Sequence, residues 1–405
     1  MKHKTNILLY LTLLVGVTYS CKSSGQQADI IHNKAFTIDS HCDSPLRLMS
    51  EDFDIGKSHN SKEDGSKYDI PRMEKGGLDA SFFAAFIGQG PEDSASLEKA
   101  FKETNKIIEA VYKSVNSYSN KAEIAITPED GYRLEKEGKR AIYLGIENGY
   151  ALADKIENIE YFKNKGIRYI TLVHTKNNHI ADSSTDDTII YNGLSKFGEE
   201  VVRKMNELGI MIDISHASDS AFYDVLALSK APIIASHSCS RKLCNTPRNL
   251  SDDQLKAMAK NGGVVQMCIL SDYVKQMPSY AARDSAHVAF GKRHSNWDNY
   301  TEEQRKVGIR EWHQLDMLYP PNLANVSDVV DHIDHIVKIA GINHVGIGTD
   351  FDGGGGVNGC FDVSEMKNIT IELLKRGYTE EQIIKIWGGN FMRVFKEVET
   401  FAKNK

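Results

Sequence analysis

Eight short apolar runs, rich in β-branched residues, alternate with longer amphipathic segments, and this alternation constrains the fold most strongly. The runs cover residues 36–41, 78–87, 141–146, 167–174, 210–215, 232–237, 263–269 and 344–349. Near-continuous apolar strands, mostly followed by helices, are typical of a parallel sheet buried on both faces. Eight of them within about 310 residues favour one closed (β/α)₈ barrel, the TIM-barrel architecture, over two open sheets. The sequence therefore predicts an α/β fold built on a single barrel.

Two connections between these runs are unusually long. The polar, glycine-containing segment over residues 50 to about 66 is predicted to form a loop over the mouth of the barrel. Residues 271 to about 321 form a larger insertion before the last strand. A structureless loop of that length is uncommon, so we expect it to carry its own helices, with Thr301–Leu318 the strongest candidate. The prediction is one domain over residues 34–405 with an inserted helical excursion.

The first twenty residues differ from the rest of the chain. Lys2 and Lys4 give a positive start, and an apolar run follows over residues 7–17. This pattern predicts a signal peptide over residues 1–20, because the apolar run is too short to span a bilayer as a mature helix. No later segment is apolar for long enough to cross a membrane.

The junction at Cys21 resembles that of a bacterial lipoprotein. A small residue, Ser20, precedes the cysteine and a polar stretch follows it, although Thr18 stands where leucine is commoner. We expect a lipid on Cys21, a tether over residues 21–33, and a membrane-anchored protein outside the cytoplasm that faces the periplasm or lies on the cell surface. The alternative is an ordinary signal peptide that is cleaved nearby, with an incidental cysteine.

The composition is that of an ordinary globular chain, with 41% apolar and 26% charged residues. The formal net charge is −6, and no basic stripe with interleaved aromatic residues is present. A nucleic-acid partner is therefore not expected, because phosphate binding needs a basic face. Beyond Cys21 the chain has five cysteines, and an odd number does not make a complete disulfide framework. Cys239 and Cys244 could bridge a loop, but we do not expect them to pair.

Ionisable residues stand at the carboxyl ends of six of the eight runs. In a (β/α)₈ barrel those ends share one face, and that face is where active sites are built. Each residue taken alone could be an ordinary hydrogen-bonded residue or a helix cap. Gathering all of them at one mouth without a cation would cost desolvation and like-charge repulsion, so we expect a metal site. The residues are His41, Asp43, Glu147, His174, His216, His237, Asp350 and Asp352.

The spacing and chemistry of these residues favour two metal ions. His41 and Asp43 are two apart on a strand, so both side chains point into the mouth, while Cys42 points outward as a packing residue. Imidazole nitrogen and carboxylate oxygen are donors that suit zinc. The four ligands on the first, fifth and sixth runs are too many for one catalytic zinc, which usually keeps three. Glu147 is then the natural bridge between two ions.

Other motifs indicate no separate chemistry. The chain lacks the HExxH zinc motif, the GxSxG nucleophile motif and a Walker loop. The glycine run over residues 353–356 is interpreted as a tight turn, because no Lys-Ser/Thr pair follows it. Asp352 either holds the mouth loop or takes a direct part. His332 and His335 lie on a helix-like segment that approaches the opposite end of the last strand, so we expect structural roles for both.

These residues and their flanking motifs resemble the membrane dipeptidase (renal dipeptidase) family, metallopeptidases of the amidohydrolase-like barrel group. The similarity runs from about residue 39 to residue 401. The motifs that carry it are Asp39-Ser-His41-Cys-Asp43, Asp69-Ile-Pro-Arg72 with Gly76-Gly77, Gly145-Ile-Glu147-Asn-Gly149, Arg168-Tyr-Ile-Thr-Leu-Val-His174, Gly193-Leu-Ser-Lys-Phe-Gly198, Ile212-Asp-Ile-Ser-His216, Ser236-His-Ser238, Arg248-Asn249 and Gly346-Ile-Gly-Thr-Asp350-Phe-Asp-Gly353.

The resemblance implies two zinc ions per chain. His41, Asp43 and Glu147 would bind one ion. Glu147, His216 and His237 would bind the other. The implied activity is hydrolysis of dipeptides by a hydroxide that bridges the two metals. Whether the C-terminal residue of the substrate is of the L or the D form is left open. Assembly into a homodimer is left open.

The resemblance also implies three residues that act on the substrate. His174 would contact the scissile carbonyl, Arg248 the substrate carboxylate, and Asp350 the attacking water. Two features depart from the family. Asn148 stands where many members have a glycine, and the insertion after Ser271 is poorly matched, so a substrate preference does not transfer.

Two other functions stay open on the sequence alone. A lactonase or phosphotriesterase of the same barrel group usually opens with a His-x-His pair and bridges its metals with a lysine. Here the opening pair is His41 and Asp43, and Glu147 is available as the bridge, which favours the dipeptidase, although Lys176 lies near the end of the fourth run. The other function is that of a non-catalytic, lipid-anchored binding protein, against which the complete ligand set argues.

Overall fold

Eight parallel strands form a barrel in the computed structural model, which describes residues 24–295 and 300–404. The barrel closes where Cys42 pairs in parallel with Phe351, and there the amide of Asp43 donates to the carbonyl of Phe351 at 2.8 Å. In pairing order, the barrel strands are β1 (Ile38–Cys42), β2 (Ala80–Phe86), β4 (Arg140–Glu147), β5 (Ile167–Thr171), β6 (Met211–Asp213), β7 (Ile234–Ser238), β8 (Val264–Met267) and β9 (Val345–Ile347).

The predicted barrel is confirmed, because each of the eight predicted runs overlaps one barrel strand. One further strand, β3 (Ala122–Ile124), pairs with the first residues of β4 outside this path. The sequence did not predict β3, since three residues are too few to show a periodicity.

Helices connect the strands, and short 3₁₀ turns and one π-helical turn (Lys385–Gly389) complete the fold. The helices are α1 (Ser24–Lys34), α2 (Pro45–Leu48), α3 (Ser61–Asp64), α4 (Ile70–Gly76), α5 (Ser94–Asn116), α6 (Pro128–Lys136), α7 (Glu157–Asn164), α8 (Lys196–Leu208), α9 (Asp219–Leu228), α10 (Asp252–Asn261), α11 (Ser271–Val274), α12 (Ala281–Arg293), α13 (Glu302–Leu318), α14 (Val326–Ala340), α15 (Lys367–Lys375), α16 (Glu380–Ile384) and α17 (Asn390–Lys403).

The amino-terminal half of the barrel is filled by apolar and aromatic side chains. Phe82 stacks on Tyr143 and Tyr169, with ring centroids 4.9 and 5.2 Å apart. Phe391 of α17 packs edge-on against Phe82 at 5.3 Å, and Phe395 packs in the same way against Tyr143 at 5.6 Å. The C-terminal helix therefore seals this end, and a polar site belongs at the opposite, carboxyl end of the strands.

The insertion before the last strand contains helices, as predicted. Its helices are α11, α12 and α13, and α13 begins and ends within a residue of the predicted Thr301–Leu318. The side chain of Thr301 accepts a hydrogen bond from the Gln304 amide, and the Gln304 side chain accepts one from the Thr301 amide, which forms a capping box. Within the described part of α12, Phe290 is the one buried side chain, so this helix packs lightly on the domain.

The amino-terminal end of the described chain is folded. The predicted signal peptide and Cys21 lie outside the described residues. Residues 24–33, which we predicted as part of a tether, belong instead to helix α1, which buries Ala28, Ile31 and His32 against the domain. Among the described residues, no helix combines the length and apolarity needed to cross a membrane.

Candidate metal centre

The predicted site residues meet at the carboxyl end of the barrel because each lies at or just beyond a strand end. His41, Glu147 and His237 lie on β1, β4 and β7, whereas Asp43 follows β1 directly. His174, His216 and Asp350 each lie three residues past a strand, where the chain turns toward the next helix. All are buried except His174, whose side chain is 21% exposed.

Two of these residues have a left-handed backbone. The φ angle is 70° at His216 and 60° at Asp350, a region that residues other than glycine rarely adopt. Such strain persists where the surroundings impose it, and it is concentrated at functional sites. At both positions it turns the chain sharply at the end of a strand while the side chain stays in the mouth.

Glu147 lies at the centre of the cluster. Its Oε2 is 3.4 Å from Nε2 of His41. Its Oε1 is 3.2 Å from Nε2 of His216 and 3.4 Å from Nε2 of His237. Each carboxylate oxygen therefore faces a different group of donors, which is the arrangement that a bridging ligand needs. Asp43 joins the first group, with its Oδ2 3.7 Å from Nε2 of His41.

Three sets of buried donors could each hold a metal ion, with all donor atoms of a set within 4.8 Å of one another. Two of the sets share Glu147 and coincide with the two ligand sets that the family resemblance implies. The third set brings Asp350 beside two of the histidines. The sets are His41, Asp43 and Glu147; Glu147, His216 and His237; and His41, His237 and Asp350.

Hydrogen bonds behind the cluster fix the tautomer of His237. The Asp213 carboxylate accepts bonds from the amides of Ser215 and Ser236 and from the hydroxyl groups of Thr171 and Ser236. Because the Ser236 hydroxyl donates to Asp213, it accepts from Nδ1–H of His237 at 2.8 Å. Nε2 of His237 therefore carries no hydrogen. Its lone pair points at the cluster, as a metal ligand requires.

Two buried donor atoms of the cluster form no hydrogen bond, which fits a metal ion. They are Nε2 of His41 and Oδ1 of Asp43. On its other side, His41 is oriented by a 2.8 Å hydrogen bond between its Nδ1 and the Tyr169 hydroxyl. Imidazole nitrogens and carboxylate oxygens that converge in this way suit a divalent metal.

The titration behaviour of the cluster is that of a site that attracts positive charge. Burial raises the pKa of Glu147, but the nearby histidines, His41 first, outweigh burial and hold this pKa well below its ordinary value. Burial lowers the pKa of His41, but Glu147 and Asp43 outweigh it and raise this pKa well above its ordinary value. Burial, followed by the charge of Glu147, raises the pKa of Asp43 to about 6. The carboxylates therefore favour a nearby cation, whether proton or metal.

Arg248 lies beside the cluster as a buried cation. Its Nη1 donates to the Ser238 hydroxyl at 2.9 Å and its Nη2 to the carbonyl of His237 at 2.8 Å. Its Nε–H is buried without a partner, and its guanidinium lies 5.5 Å from the ring centre of Tyr273. Among the described residues, no carboxylate forms an ion pair with Arg248. A buried charge without a counter-ion is costly, so this arrangement favours an anionic ligand.

Two more of the predicted residues, His174 and Asp352, lie at the mouth of the barrel. His174 packs edge-on against Phe86 at 4.7 Å, and its Nε2 is 3.9 Å from Oε1 of Glu147. Asp352 holds the mouth loop, because it accepts bonds from Arg47 and from the Ser44 hydroxyl, both at 2.7 Å.

The structure also locates the residues that the sequence placed in doubt. Lys176 is exposed, and in the described part of the chain Glu147 takes the central position of the cluster. Asn148 is not a pocket residue, since its side chain is committed to hydrogen bonds with Ile87, Gln89, Tyr150 and Asn178.

The residues set aside as structural have such roles. His332 accepts from the amide of Ser240 and donates to the carbonyl of Val274, and His335 pairs with Asp252. The cysteines Cys42, Cys239, Cys244, Cys268 and Cys360 are buried and unpaired, as expected for Cys239 and Cys244.

The sequence analysis missed the residues that support the cluster from behind. Tyr169, Asp213 and Ser236 orient ligands without contacting the mouth. The signal that could have found them is a polar side chain within an otherwise apolar barrel strand, which needs a partner when buried.

A (β/α)₈ barrel with an imidazole–carboxylate cluster around one central carboxylate at its carboxyl end defines a class, the metal-dependent barrel hydrolases. The family model described as membrane dipeptidase (peptidase family M19) matches residues 25–405. The chain belongs to that family and is therefore a metallopeptidase of the dipeptidase class.

Individual relatives agree with this assignment. Dipeptidase tcpJ of Claviceps purpurea is 29% identical over 350 residues, which cover 85% of this chain and 72% of that protein. The crystal structure of the probable dipeptidase PvdM from Pseudomonas aeruginosa has a TM-score of 0.81 and 31% identity, covering 94% of this chain and 99% of that one. A metallopeptidase from Rhodobacter sphaeroides, liganded with a phosphinate mimic of the dipeptide L-Ala-D-Ala, shares the fold, with a TM-score of 0.72, 20% identity and coverage of 89% and 99%.

Proposed function

We propose that this protein is a two-zinc dipeptidase that selects substrates with a free carboxylate one residue beyond the scissile bond and accepts a D-residue there. The observation that carries the proposal is the buried, unpaired guanidinium of Arg248 beside the bridged cluster. The D-residue is included because the Rhodobacter sphaeroides enzyme holds a mimic of L-Ala-D-Ala. A panel of matched dipeptides, with L- or D-alanine as the second residue, tests whether a D-residue is accepted. Turnover of the L-series alone would refute it.

The donor set supports two zinc ions. His41, Asp43 and Glu147 would hold one ion, and Glu147, His216 and His237 the other. When bound, zinc supplies a Lewis acid for the peptide carbonyl and lowers the pKa of the attacking water. The donors are nitrogen and oxygen atoms, without a thiolate, and each ion would have three protein ligands. Both features fit a catalytic zinc site.

The side chains around the metals would carry out the proton transfers. The Asp350 carboxylate, beside His41 and His237, would accept the proton of the attacking water and return it to the leaving amine. Burial, followed by the charge of Asp43, raises the pKa of Asp350 well above its ordinary value, which favours proton acceptance. His174, the most exposed histidine of the cluster, would donate to the carbonyl oxygen as charge develops there.

Arg248 would select dipeptides by length. Its hydrogen bonds to Ser238 and to the carbonyl of His237 hold the guanidinium at a fixed position relative to the ligand His237. A dipeptide places its carboxylate close to the scissile bond, whereas a longer peptide has a neutral amide there. A guanidinium binds a carboxylate through two parallel hydrogen bonds, which lysine cannot reproduce.

The substitution Arg248→Lys tests this selection. We expect it to weaken hydrolysis of a dipeptide by about 10- to 100-fold, as loss of a charge-assisted hydrogen bond does. Amidation of the substrate carboxylate should weaken the wild type similarly, and the two losses should not add, because both remove one interaction. Arg376→Lys is the control, since Arg376 pairs with Asp331 and Asp334 away from the cluster. If the variant keeps the wild-type ratio of acid to amide cleavage, Arg248 does not bind the carboxylate.

The substitution His216→Ala tests the metal assignment. It removes one ligand of the second ion, so we expect zinc, measured by mass spectrometry, to fall from about two per chain toward one and turnover to drop by orders of magnitude. His335→Ala is the matched control, because His335 pairs with Asp252 outside the site. Full activity with unchanged zinc in the His216 variant would show that the cluster is misassigned.

A further inference from the structure

The carboxylate proposed as the base is held from behind by a thiol. Cys268 follows β8 directly, is fully buried, and its Sγ donates to Oδ2 of Asp350 at 3.7 Å. Among the described residues, no other side chain donates a hydrogen bond to the Asp350 carboxylate. The other oxygen, Oδ1, lies on the side of Asp43, because a Cβ placed on Gly353 would contact both Oδ1 of Asp350 and Oδ2 of Asp43.

The thiol is itself fixed by the neighbouring strand. The amide of Cys268 donates to the carbonyl of Ser238 at 3.2 Å, and its carbonyl accepts the thiol hydrogen of Cys239 at 3.2 Å. Both partners belong to the strand end that carries His237. The position of the thiol is therefore tied to the same backbone as a proposed metal ligand.

A thiol is a weak hydrogen-bond donor. Bonded to Oδ2, it orients the carboxylate and leaves the lone pairs of Oδ1 available to water. Asp350 has a left-handed backbone, with a φ of 60°, and its carbonyl accepts from the amides of Gly353 and Gly355, so the residue begins a tight turn.

We propose that Cys268 is a positioning residue for hydrolysis, whose thiol holds Oδ2 of Asp350 so that Oδ1 faces the reacting water. The inference rests on the proposed role of Asp350 as the base. It assigns no proton transfer to Cys268 itself, which contacts neither substrate nor metal.

Three substitutions separate hydrogen bonding from packing. Cys268→Ser keeps a donor, Cys268→Ala removes it at similar volume to serine, and Cys268→Val fills the space without a donor. We expect alanine and valine to lower kcat by about tenfold, with KM and zinc content unchanged. Serine, whose hydroxyl must approach Oδ2 more closely to donate, should retain more activity than valine. Cys360→Ala is the control, because Cys360 is equally buried but hydrogen-bonds to Met366 away from the site.

A double-mutant cycle with Asp350→Asn tests whether Cys268 acts through Asp350. In that background Cys268→Val should cause no further loss, because the interaction it removes is already gone. Equal loss in both backgrounds, or equal activity of the serine and valine variants, would overturn the proposal. If Asp350→Asn alone kept full activity, the proposed base would be wrong instead, so the two failures are distinguishable.

Discussion

At the scale of single residues, the geometry of the cluster depends on a position that has no side chain. Gly353 follows Asp350 in the mouth turn, and a Cβ there would lie 1.9 Å from Oδ2 of Asp43 and 2.4 Å from Oδ1 of Asp350. Contacts below 3.0 Å do not occur for a real Cβ, so one of the carboxylates would have to move. Glycine is therefore required here by the close approach of two carboxylates.

We predict that Gly353→Ala lowers kcat by about 10- to 100-fold, because a displacement of about 1 Å at the reacting groups has an effect of that size. Zinc content should fall as well, since Asp43 is a proposed ligand. Gly88→Ala is the control, because a Cβ there meets no atom within 4 Å. Steady-state kinetics and metal analysis check the prediction, and equal activity of the two variants would contradict it.

At the scale of elements, helix α1 packs on the domain with one buried histidine among its contacts. Nδ1 of His32 is 2.7 Å from the Thr370 hydroxyl, and its Nε2 is 2.9 Å from the carbonyl of Gly76. The ring also packs edge-on against Trp387 at 4.8 Å. Because Nε2 must carry a hydrogen to donate to the carbonyl, neutral His32 accepts at Nδ1 from Thr370.

We predict that acid loosens α1 through His32. Burial lowers the pKa of His32 to about 4, below the 6.5 expected in the unfolded chain. The stabilisation from burying the neutral ring is therefore fully present above pH 6.5 and is lost as the pH falls toward 4, by about 3 kcal/mol at most. Hydrogen exchange of α1 amides between pH 7 and 4.5 should show this loss.

The variant His32→Phe should remove that pH dependence, because it lacks the titrating group. Its exchange rates, corrected for intrinsic pH effects, should stay level over the same range. A wild-type helix whose protection is equally level from pH 7 to 4.5 would show that His32 does not control its attachment.

At the scale of the whole molecule, we propose that the protein works outside the cytoplasm on a lipid anchor. The support is the basic start, the apolar run and the Ser20-Cys21 junction, all of which lie outside the described residues. Helix α1 begins three residues after Cys21, so an anchor there would hold the folded domain close to the membrane surface. Assembly into a homodimer stays a prediction.

We predict that Cys21→Ser releases dipeptidase activity from the membrane fraction into the soluble extracytoplasmic fraction. The attachment removed is a lipid carrying more than one acyl chain, which binds a bilayer far more firmly than a single chain. Specific activity should not change, because the barrel is untouched. Fractionation with a dipeptide assay checks this, and a wild-type protein that is already soluble there would refute the anchor.

Local sequence patterns predicted the strands and the proposed ligands because both follow short-range rules. The alternation along a strand places His41 and Asp43 on the same side, and the carboxyl ends of parallel strands meet on one face. Helix α13 was also predictable, since its capping pair Thr301 and Gln304 lies within the helix start itself. The same local reasoning failed for residues 24–33, because a short helix owes its stability to the surface it packs against.

The sequence by itself determined the barrel, the face that carries the site, and the imidazole and carboxylate groups that gather there. Only the tertiary structure decided how those groups are held. The hydrogen bond between Tyr169 and His41, the bond that Nδ1–H of His237 donates to Ser236, and the thiol of Cys268 behind Asp350 each depend on side-chain distances. Most join different strands and have no sequence periodicity, because a hydrogen bond requires atoms to approach within a few tenths of an ångström of one distance.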